Sequence, residues 1–146
     1  MHCTIRIILP AVLLAAAQPA LAAPAAKAAL RLTPIEDTFS GSACRISLRQ
    51  NDQRIIGGMD YFPVGNDNWQ VGINGKSYRL HDQAGNTPNP VLVSKDRKVT
   101  VRLKRGKRVW VSQEESYPAD TYRTAATVTV SGQTAVFTVF LTCGDG

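Results

Sequence analysis

Apolar and polar residues alternate along most of the chain from residue 43 onward. The alternating segments are rich in β-branched and aromatic side chains, and Gly, Asn, Asp, Ser and Pro separate them. Because successive side chains of a strand point to opposite faces, this pattern is typical of strands that bury one face. It predicts about eight to ten short antiparallel strands and no helix, in an all-β domain that forms a small sandwich or barrel.

The turn residues of two segments predict β-hairpins. Asn74-Gly75 lies between segments 69–73 and 76–80, and Ser131-Gly132 lies between segments 124–130 and 133–143. Asn-Gly suits a two-residue turn, because both of its positions need positive φ. The predicted registers place Val71 opposite Tyr78, Trp69 opposite Leu80, Val128 opposite Ala135 and Ala126 opposite Phe137.

A third hairpin is predicted where segments 98–103 and 107–113 flank Lys104-Arg105-Gly106. A three-residue loop of this kind takes Gly at its left-handed position. The hairpin would place Val101 opposite Val109 on an apolar face. Further short strands are expected near residues 54–56, 61–64 and 91–94, and longer polar loops are expected over residues 81–90 and 113–122.

The first 22 residues resemble a signal peptide. Arg6 supplies positive charge, an apolar run covers residues 7–17, and Ala20-Leu21-Ala22 has the small-x-small pattern that signal peptidase reads. The run is about half of the ~20 residues that a membrane-spanning helix needs, and no later stretch is long enough. We expect cleavage before Ala23 and export to the periplasm or the medium. The alternative is a buried helix over residues 7–17.

Cleavage would leave residues 23–146, enough for one small domain. Residues 23–38 contain two prolines and are expected to form a flexible lead-in, followed by a single β domain over residues 39–146. Cys44 and Cys143 remain after cleavage, and two cysteines in an oxidising compartment usually pair. Each shares an apolar strand face, Cys44 with Ile46 and Cys143 with Leu141, so we predict a Cys44–Cys143 disulfide. Two free thiols or an intermolecular bridge are the alternatives.

The net charge restricts the partners, and the residue inventory restricts the chemistry. Removing Arg6 leaves 16 basic and 11 acidic side chains, a charge near +5, which favours an anionic partner. Export makes nucleic acid an improbable one. His81 is the single histidine after residue 22, and its neighbour Asp82 would point to the other strand face. Asn66-Asp67-Asn68 lacks the full calcium-loop pattern, and the adjacent Glu114 and Glu115 diverge. We therefore expect no enzyme, no cofactor and no metal.

Residues 95–108 carry the strongest concentration of charge. The cations there are Lys95, Arg97, Lys98, Arg102, Lys104, Arg105, Lys107 and Arg108, against the single acid Asp96. Trp110 follows, and the predicted hairpin places it on the same face as Arg102 and Arg108. A tryptophan beside arginines grips charged polymers by stacking and charge together. The predicted anion-binding residues are Arg102, Lys104, Arg105, Lys107, Arg108 and Trp110. The alternative is a solvated edge hairpin whose cations prevent aggregation.

These observations lead to two hypotheses for function. The first is an exported, non-enzymatic binding or envelope-associated protein that contacts an anionic envelope polymer, a lipid headgroup or an unidentified protein through the basic hairpin. The second is a secreted or periplasmic inhibitor of a hydrolase, a lysozyme or a protease, that inserts loop 81–90 or loop 113–122 into the target's cleft. The positive net charge disfavours a basic target such as lysozyme.

Overall fold

Eight antiparallel strands close into a barrel in the computed structural model, which describes residues 25–39, 43–60, 69–85, 88–112 and 119–144. Each strand pairs with the next along the chain, and β8 pairs with β1. The strands are β1 (Ala43–Ser47), β2 (Ile55–Asp60), β3 (Trp69–Ile73), β4 (Lys76–Asp82), β5 (Val91–Val93), β6 (Val99–Val111), β7 (Ala119–Val130) and β8 (Gln133–Gly144). The prediction of an all-β domain is confirmed. Of the two predicted architectures, a sandwich and a barrel, the strands form the barrel.

The inward-facing side chains fill the barrel. An eight-stranded barrel has an interior just wide enough for its own side chains to occupy. Leu92, Val128 and Val139 are wholly buried, and Ile46 and Leu141 are nearly so. The centre of the barrel is therefore a packed hydrophobic core. In the described part of the chain, no helix is long and apolar enough to cross a membrane.

The Cys44–Cys143 disulfide joins the first strand to the last, as predicted. The two cysteines lie directly opposite each other on β1 and β8, with their Cα atoms 4.1 Å apart. The bond therefore fastens the pairing that closes the barrel, across a sequence separation of 99 residues. A disulfide of this kind indicates that the protein folds in an oxidising compartment.

Both two-residue hairpins have the predicted register. Val71 pairs with Tyr78 on β3 and β4, and Val128 pairs with Ala135 on β7 and β8. Positive φ occurs at both turn positions in each hairpin: 51° and 78° for Asn74 and Gly75, and 47° and 84° for Ser131 and Gly132. These turns fix the register because only one pairing of the strands is compatible with a two-residue connection.

The predicted hairpin over residues 98–113 is wrong. Lys104-Arg105-Gly106 lies inside β6, which runs without a turn from Val99 to Val111. Val101 pairs with Leu92 on β5 and Val128 on β7, and does not pair with Val109. Pairing on both sides buries Val101 and Leu103, and this burial outweighs a local preference for a turn.

Gly106 marks a β-bulge in β6. Arg105 pairs with Thr124 and Arg108 pairs with Tyr122, so one extra residue of β6 is accommodated between these pairs. A Cβ atom on Gly106 would lie 2.5 Å from the Arg123 carbonyl oxygen. The glycine therefore permits a close approach of two backbones. A second register shift lies between Arg108 and Trp110.

The expected lead-in packs against the barrel over the residues described. Leu30 and Leu32 are buried in the core, and Thr33 donates its backbone N–H to the Gly72 carbonyl at 3.0 Å. Residues 33–39, here called the strap, continue over the outside of β3 and β2. Their path requires glycine beneath them, because a Cβ atom on Gly72 would lie 2.1 Å from the Thr33 carbonyl oxygen. The expectation of flexibility missed these contacts, because the partners of this segment are distant in sequence.

Several predictions fall partly or wholly outside the described residues. The signal peptide, the strand near residues 61–64, the Asn66-Asp67-Asn68 turn and Glu114-Glu115 all lie there. The strands predicted near residues 54–56 and 91–94 correspond to β2 and β5. The two predicted polar loops are shorter than expected, because residues 81–82 belong to β4 and residues 119–122 belong to β7.

Candidate anion-binding surface

The outer surface of β6 and β7 carries three exposed cations. Arg102 and Lys104 alternate with the buried Val101 and Leu103, so they point away from the core. On β7 they lie opposite Thr127 and Ala125. Arg123 is two residues from Ala125 and projects to the same side, because strand side chains alternate. We call Arg102, Lys104 and Arg123 the basic face.

These cations are close enough to act on one ligand. Residues two apart on a strand are about 7 Å apart, and diagonal neighbours on paired strands are about 7–8 Å apart. Lys104 and Arg123 are such diagonal neighbours, because Lys104 pairs with Ala125. The three positive charges therefore form a row along the outer surface, in which neighbouring residues are about 7–8 Å apart.

No acidic side chain neutralises the basic face within the described residues. The outward positions of β7 and β8 near it are threonine, alanine, valine and phenylalanine. The ion pairs of the described chain lie elsewhere: Arg45–Asp37, Arg54–Asp52 and Arg108–Asp120. Among the described residues, the positive potential of the three cations is therefore not offset by a neighbouring carboxylate.

The predicted anion-binding residues do not include Arg123, which lies on the outer face. They include Arg105, which lies on the inner face. Arg105 points inward and lies over the Tyr122 ring, with 4.2 Å between its guanidinium carbon and the ring centroid. Its Nε atom is buried and has no hydrogen-bond partner among the described residues. The alternation of β7, in which Thr124, Ala126 and Val128 are buried, would have revealed Arg123 as outward.

The bulges of β6 separate the remaining predicted residues. Arg108 lies opposite Tyr122 and donates to the Asp120 carboxylate at 3.4 Å, which the Tyr122 hydroxyl also contacts at 3.1 Å. Lys107 is exposed within the bulged segment. Trp110 lies opposite Thr121. Because Tyr122 and Thr121 are adjacent on β7, Arg108 and Trp110 point to opposite faces.

Trp110 is 42% exposed, and the described residues place no guanidinium over its ring. The cation–π contact of this region is the one between Arg105 and Tyr122. Trp110 lies on the outer face with Arg102, whereas Arg108 lies on the other face, so the predicted grouping of all three on one face is right for Arg102 alone. Lys95, Arg97 and Lys98 lie in the turn between β5 and β6, and the nearest of them, Lys98, is about 20 Å along β6 from Lys104 at the strand rise of ~3.3 Å per residue.

His81 and Asp82 diverge on β4. His81 pairs with Val93 of β5, and Asp82 accepts backbone N–H bonds from Ala84 at 2.9 Å and Val91 at 3.2 Å. The Asp82 carboxylate thus holds the base of the loop between β4 and β5. Among the described residues, no three His, Cys, Asp or Glu side chains come together in a way that could hold a metal ion.

No protein-family model, no curated protein and no solved structure matches this chain. Its function is therefore argued from its own residues.

Proposed function

We propose that this chain is an exported, non-enzymatic barrel domain that binds an anionic component of the cell envelope through its basic face. The ligand chemistry is a repeated phosphate or carboxylate, as in an acidic polymer or an array of lipid headgroups. The observation that carries this proposal is the common outward direction of Arg102, Lys104 and Arg123, without an acidic neighbour in the described chain.

Edge protection explains the basic face less well. Cations that prevent aggregation belong on a strand whose backbone is unpaired. Arg102 pairs with Val91 on one side and Thr127 on the other, so β6 is an internal strand at that position. At the next inward position, Leu103 donates its N–H to the Pro90 carbonyl at 3.1 Å. Arg102 and Lys104 therefore guard no open edge.

The packed core also favours an outer site. Some eight-stranded barrels hold one small ligand inside, but the inward side chains of this barrel fill its centre. A polymer or a headgroup array reaches only the outside of such a domain. The expected signal peptide and the disulfide are consistent with a partner that lies beyond the cytoplasm.

The test compares two variants that lose the same charge. The first replaces the basic face, Arg102→Ser, Lys104→Ser and Arg123→Ser. The control, Lys76→Ser, Arg79→Ser and Lys95→Ser, removes three exposed cations from other positions. Binding of residues 23–146 to immobilised heparin and to phosphatidylglycerol vesicles is measured from low to physiological salt.

We expect the basic-face variant to lose on the order of 100-fold in affinity at low salt, at about 1 kcal/mol for each of the three cations. The control variant should lose much less, and the wild-type affinity should fall as salt rises. Preference for heparin or for vesicles identifies the source of the anion. Equal losses in the two variants, or wild-type elution from heparin at low salt with no vesicle binding, would overturn the proposal.

A further inference from the structure

Four outward side chains form one row across the strands β1, β8, β7 and β6. Arg45 pairs with Thr142, Thr142 pairs with Thr121, and Thr121 pairs with Trp110. At about 4.8 Å between neighbouring strands, the row is about 14 Å long. Its ends are large and its middle is small, so two threonines form the floor of a trough between an arginine and a tryptophan.

The loop between β1 and β2 forms another wall of this trough. The whole groove measures about 240 Å³, and Asn51, Asp52 and Gln53 line it together with the row. Thr121 is only 2% exposed although it points outward, because these walls cover it. We call this space the Trp110 groove.

The groove is built from ordered polar groups. The Thr121 and Thr142 hydroxyls lie 2.9 Å apart and share one hydrogen bond, which leaves one of the two O–H groups available to donate. Ser47 donates its hydroxyl to the Arg49 carbonyl at 2.7 Å, and Asp52 donates its backbone N–H to the same carbonyl at 3.3 Å. These bonds hold the loop before any ligand arrives.

Asp52 is an ionised acceptor at the rim of the groove. The backbone N–H of Arg54 donates to Asp52 Oδ1 at 3.0 Å and holds the pKa of this carboxyl below its ordinary value. The Arg54 side chain adds a contact at 3.4 Å to the same oxygen. Asn51 and Gln53, on either side, carry amides that can both donate and accept.

A flat indole beside hydroxyl, amide and carboxylate groups matches the chemistry of a sugar ring. A pyranose has an apolar face of C–H groups, which packs on an aromatic plane, and a rim of hydroxyls, which pair with planar polar side chains. A phosphate array or an acyl chain would use only one of these two features. The 42% exposure of Trp110 leaves part of its indole open for such packing.

The basic face leads into this groove. Arg123 is two residues from Thr121 on β7 and points to the same side, about 7 Å away. One ligand chain can therefore contact Lys104 and Arg123 with its charges while a ring lies against Trp110. We propose that the Trp110 groove is a saccharide subsite, and that the partner is an acidic polysaccharide. This inference rests on the proposed function, since the basic face supplies the charge recognition.

The test uses two linear probes of comparable charge, one with sugar rings and one without. They are an octameric oligogalacturonate, which carries a carboxylate on each ring, and a polyphosphate of similar length. The chain has two tryptophans, and Trp69 is buried at 5% exposure. Ligand-induced change in tryptophan fluorescence therefore reports on Trp110, and calorimetry gives the affinities.

Wild-type protein should bind the oligogalacturonate about tenfold more tightly than the polyphosphate, because only the sugar probe has a ring that can pack on the indole. Trp110→Ala should abolish that advantage and leave polyphosphate affinity within about twofold, while Trp110→Tyr keeps part of it. Thr142→Leu, which fills the trough floor and adds no charge, should weaken the oligogalacturonate alone. Val136→Ser, which removes another exposed apolar side chain, is the control, since Val136 is 68% exposed and does not line the groove.

Equal affinity for the two probes, unchanged by Trp110→Ala and by Thr142→Leu, would overturn the saccharide subsite and leave the charge-binding function intact. Loss of both affinities in Trp110→Ala, with a wild-type unfolding temperature, would also overturn it. Tighter binding to phosphatidylglycerol vesicles than to the oligogalacturonate, lost in Trp110→Ala, would identify a membrane surface instead. Failure of every anionic probe to bind the wild type is a failure of the proposed function itself.

Discussion

The two halves of the barrel differ in strand length and in what covers their outer surface. Strands β1 to β5 have three to seven residues, whereas β6 to β8 have 12 or 13. The strap crosses β2 and β3, where the outward positions Gly58 and Gly72 leave room for it. The corresponding positions of β7 hold Arg123, Ala125 and Thr127, and no described segment crosses them.

This contrast indicates that the two halves use their outer surfaces differently, one to hold the chain's own strap and the other to present side chains to solvent. In the first half, outward glycines admit the chain's own strap, and short strands are supported by the buried Leu30 and Leu32. In the second half, long paired strands need no cover, and their outward positions carry charge. We infer that the open half is available to another molecule because it does not depend on the strap.

The disulfide joins the two halves, and its removal should have the largest effect. In Cys44→Ala/Cys143→Ala, the unfolded chain regains the freedom of a loop of about 100 residues, so we expect a loss of about 4–5 kcal/mol. Urea unfolding measures the change. Reductant should destabilise the wild type to a similar degree and leave the double variant unaffected. Loss below about 1 kcal/mol would mean that strand pairing alone closes the barrel.

Residues 30–32, which come just before the strap, should make the next largest contribution to the free energy of unfolding. Leu32→Ala deletes a side chain that is 8% exposed and forms a bridge to Ile73, so it should cost about 2–5 kcal/mol. Leu48→Ala makes the same chemical change at a position 41% exposed and should cost less than about 0.5 kcal/mol. Equal costs in urea unfolding would contradict the placement of residues 30–32 in the core.

The outward positions of the two halves should respond differently to added side-chain volume. Gly72→Ala brings a Cβ atom into the Thr33 carbonyl and should cost about 1–3 kcal/mol. Ala125→Val adds volume on the open surface of β7, where we expect a change within about 0.5 kcal/mol. Hydrogen exchange at the Thr33 amide, which donates to Gly72, should accelerate in Gly72→Ala only. A well-protected Thr33 amide in that variant would show that the strap does not need this glycine.

The turn between β5 and β6, which connects the two halves, should make a small and pH-dependent contribution to the stability of the fold. Ser94 donates its hydroxyl to the Asp96 carboxylate at 2.6 Å and the Lys98 amide donates at 3.1 Å, which together hold the Asp96 pKa below its ordinary value. A depressed pKa contributes stability above the unfolded value, and this contribution is lost as pH falls through the folded value. Asp96→Asn should therefore unfold with a shallower acid dependence below about pH 4. An unchanged acid limb in urea titrations would contradict this role.

Local turn chemistry predicted the hairpins that it controls. Asn74-Gly75 and Ser131-Gly132 determine register within a few residues, so both pairings could be obtained from sequence alone. Lys104-Arg105-Gly106 also ends in glycine, but its conformation is set by its pairing with β7, where Lys104 lies opposite Ala125, 21 residues away. Sequence could not reveal that this glycine serves a bulge.

The sequence predicted only part of the candidate site, because the remainder depends on pairing between strands that are distant in sequence. Arg102 and Lys104 are outward because β6 alternates, which the sequence shows. Arg108 changed sides because the first bulge shifts the alternation, and the second bulge returns Trp110 to the outer face; both bulges depend on the partner strand. The row from Arg45 to Trp110 joins residues from four strands and requires the closed barrel. No local pattern contains it.

We propose that the anionic partner contacts the open half of the barrel, β6 to β8. Amide chemical-shift mapping during titration with the octameric oligogalacturonate locates the contact surface residue by residue. We predict that the largest changes fall on Arg102, Lys104, Arg123 and the row from Thr142 to Trp110, and that they diminish as salt is added. Changes concentrated on β3, β4 and the strap, or spread evenly over all the exposed cations, would contradict the account.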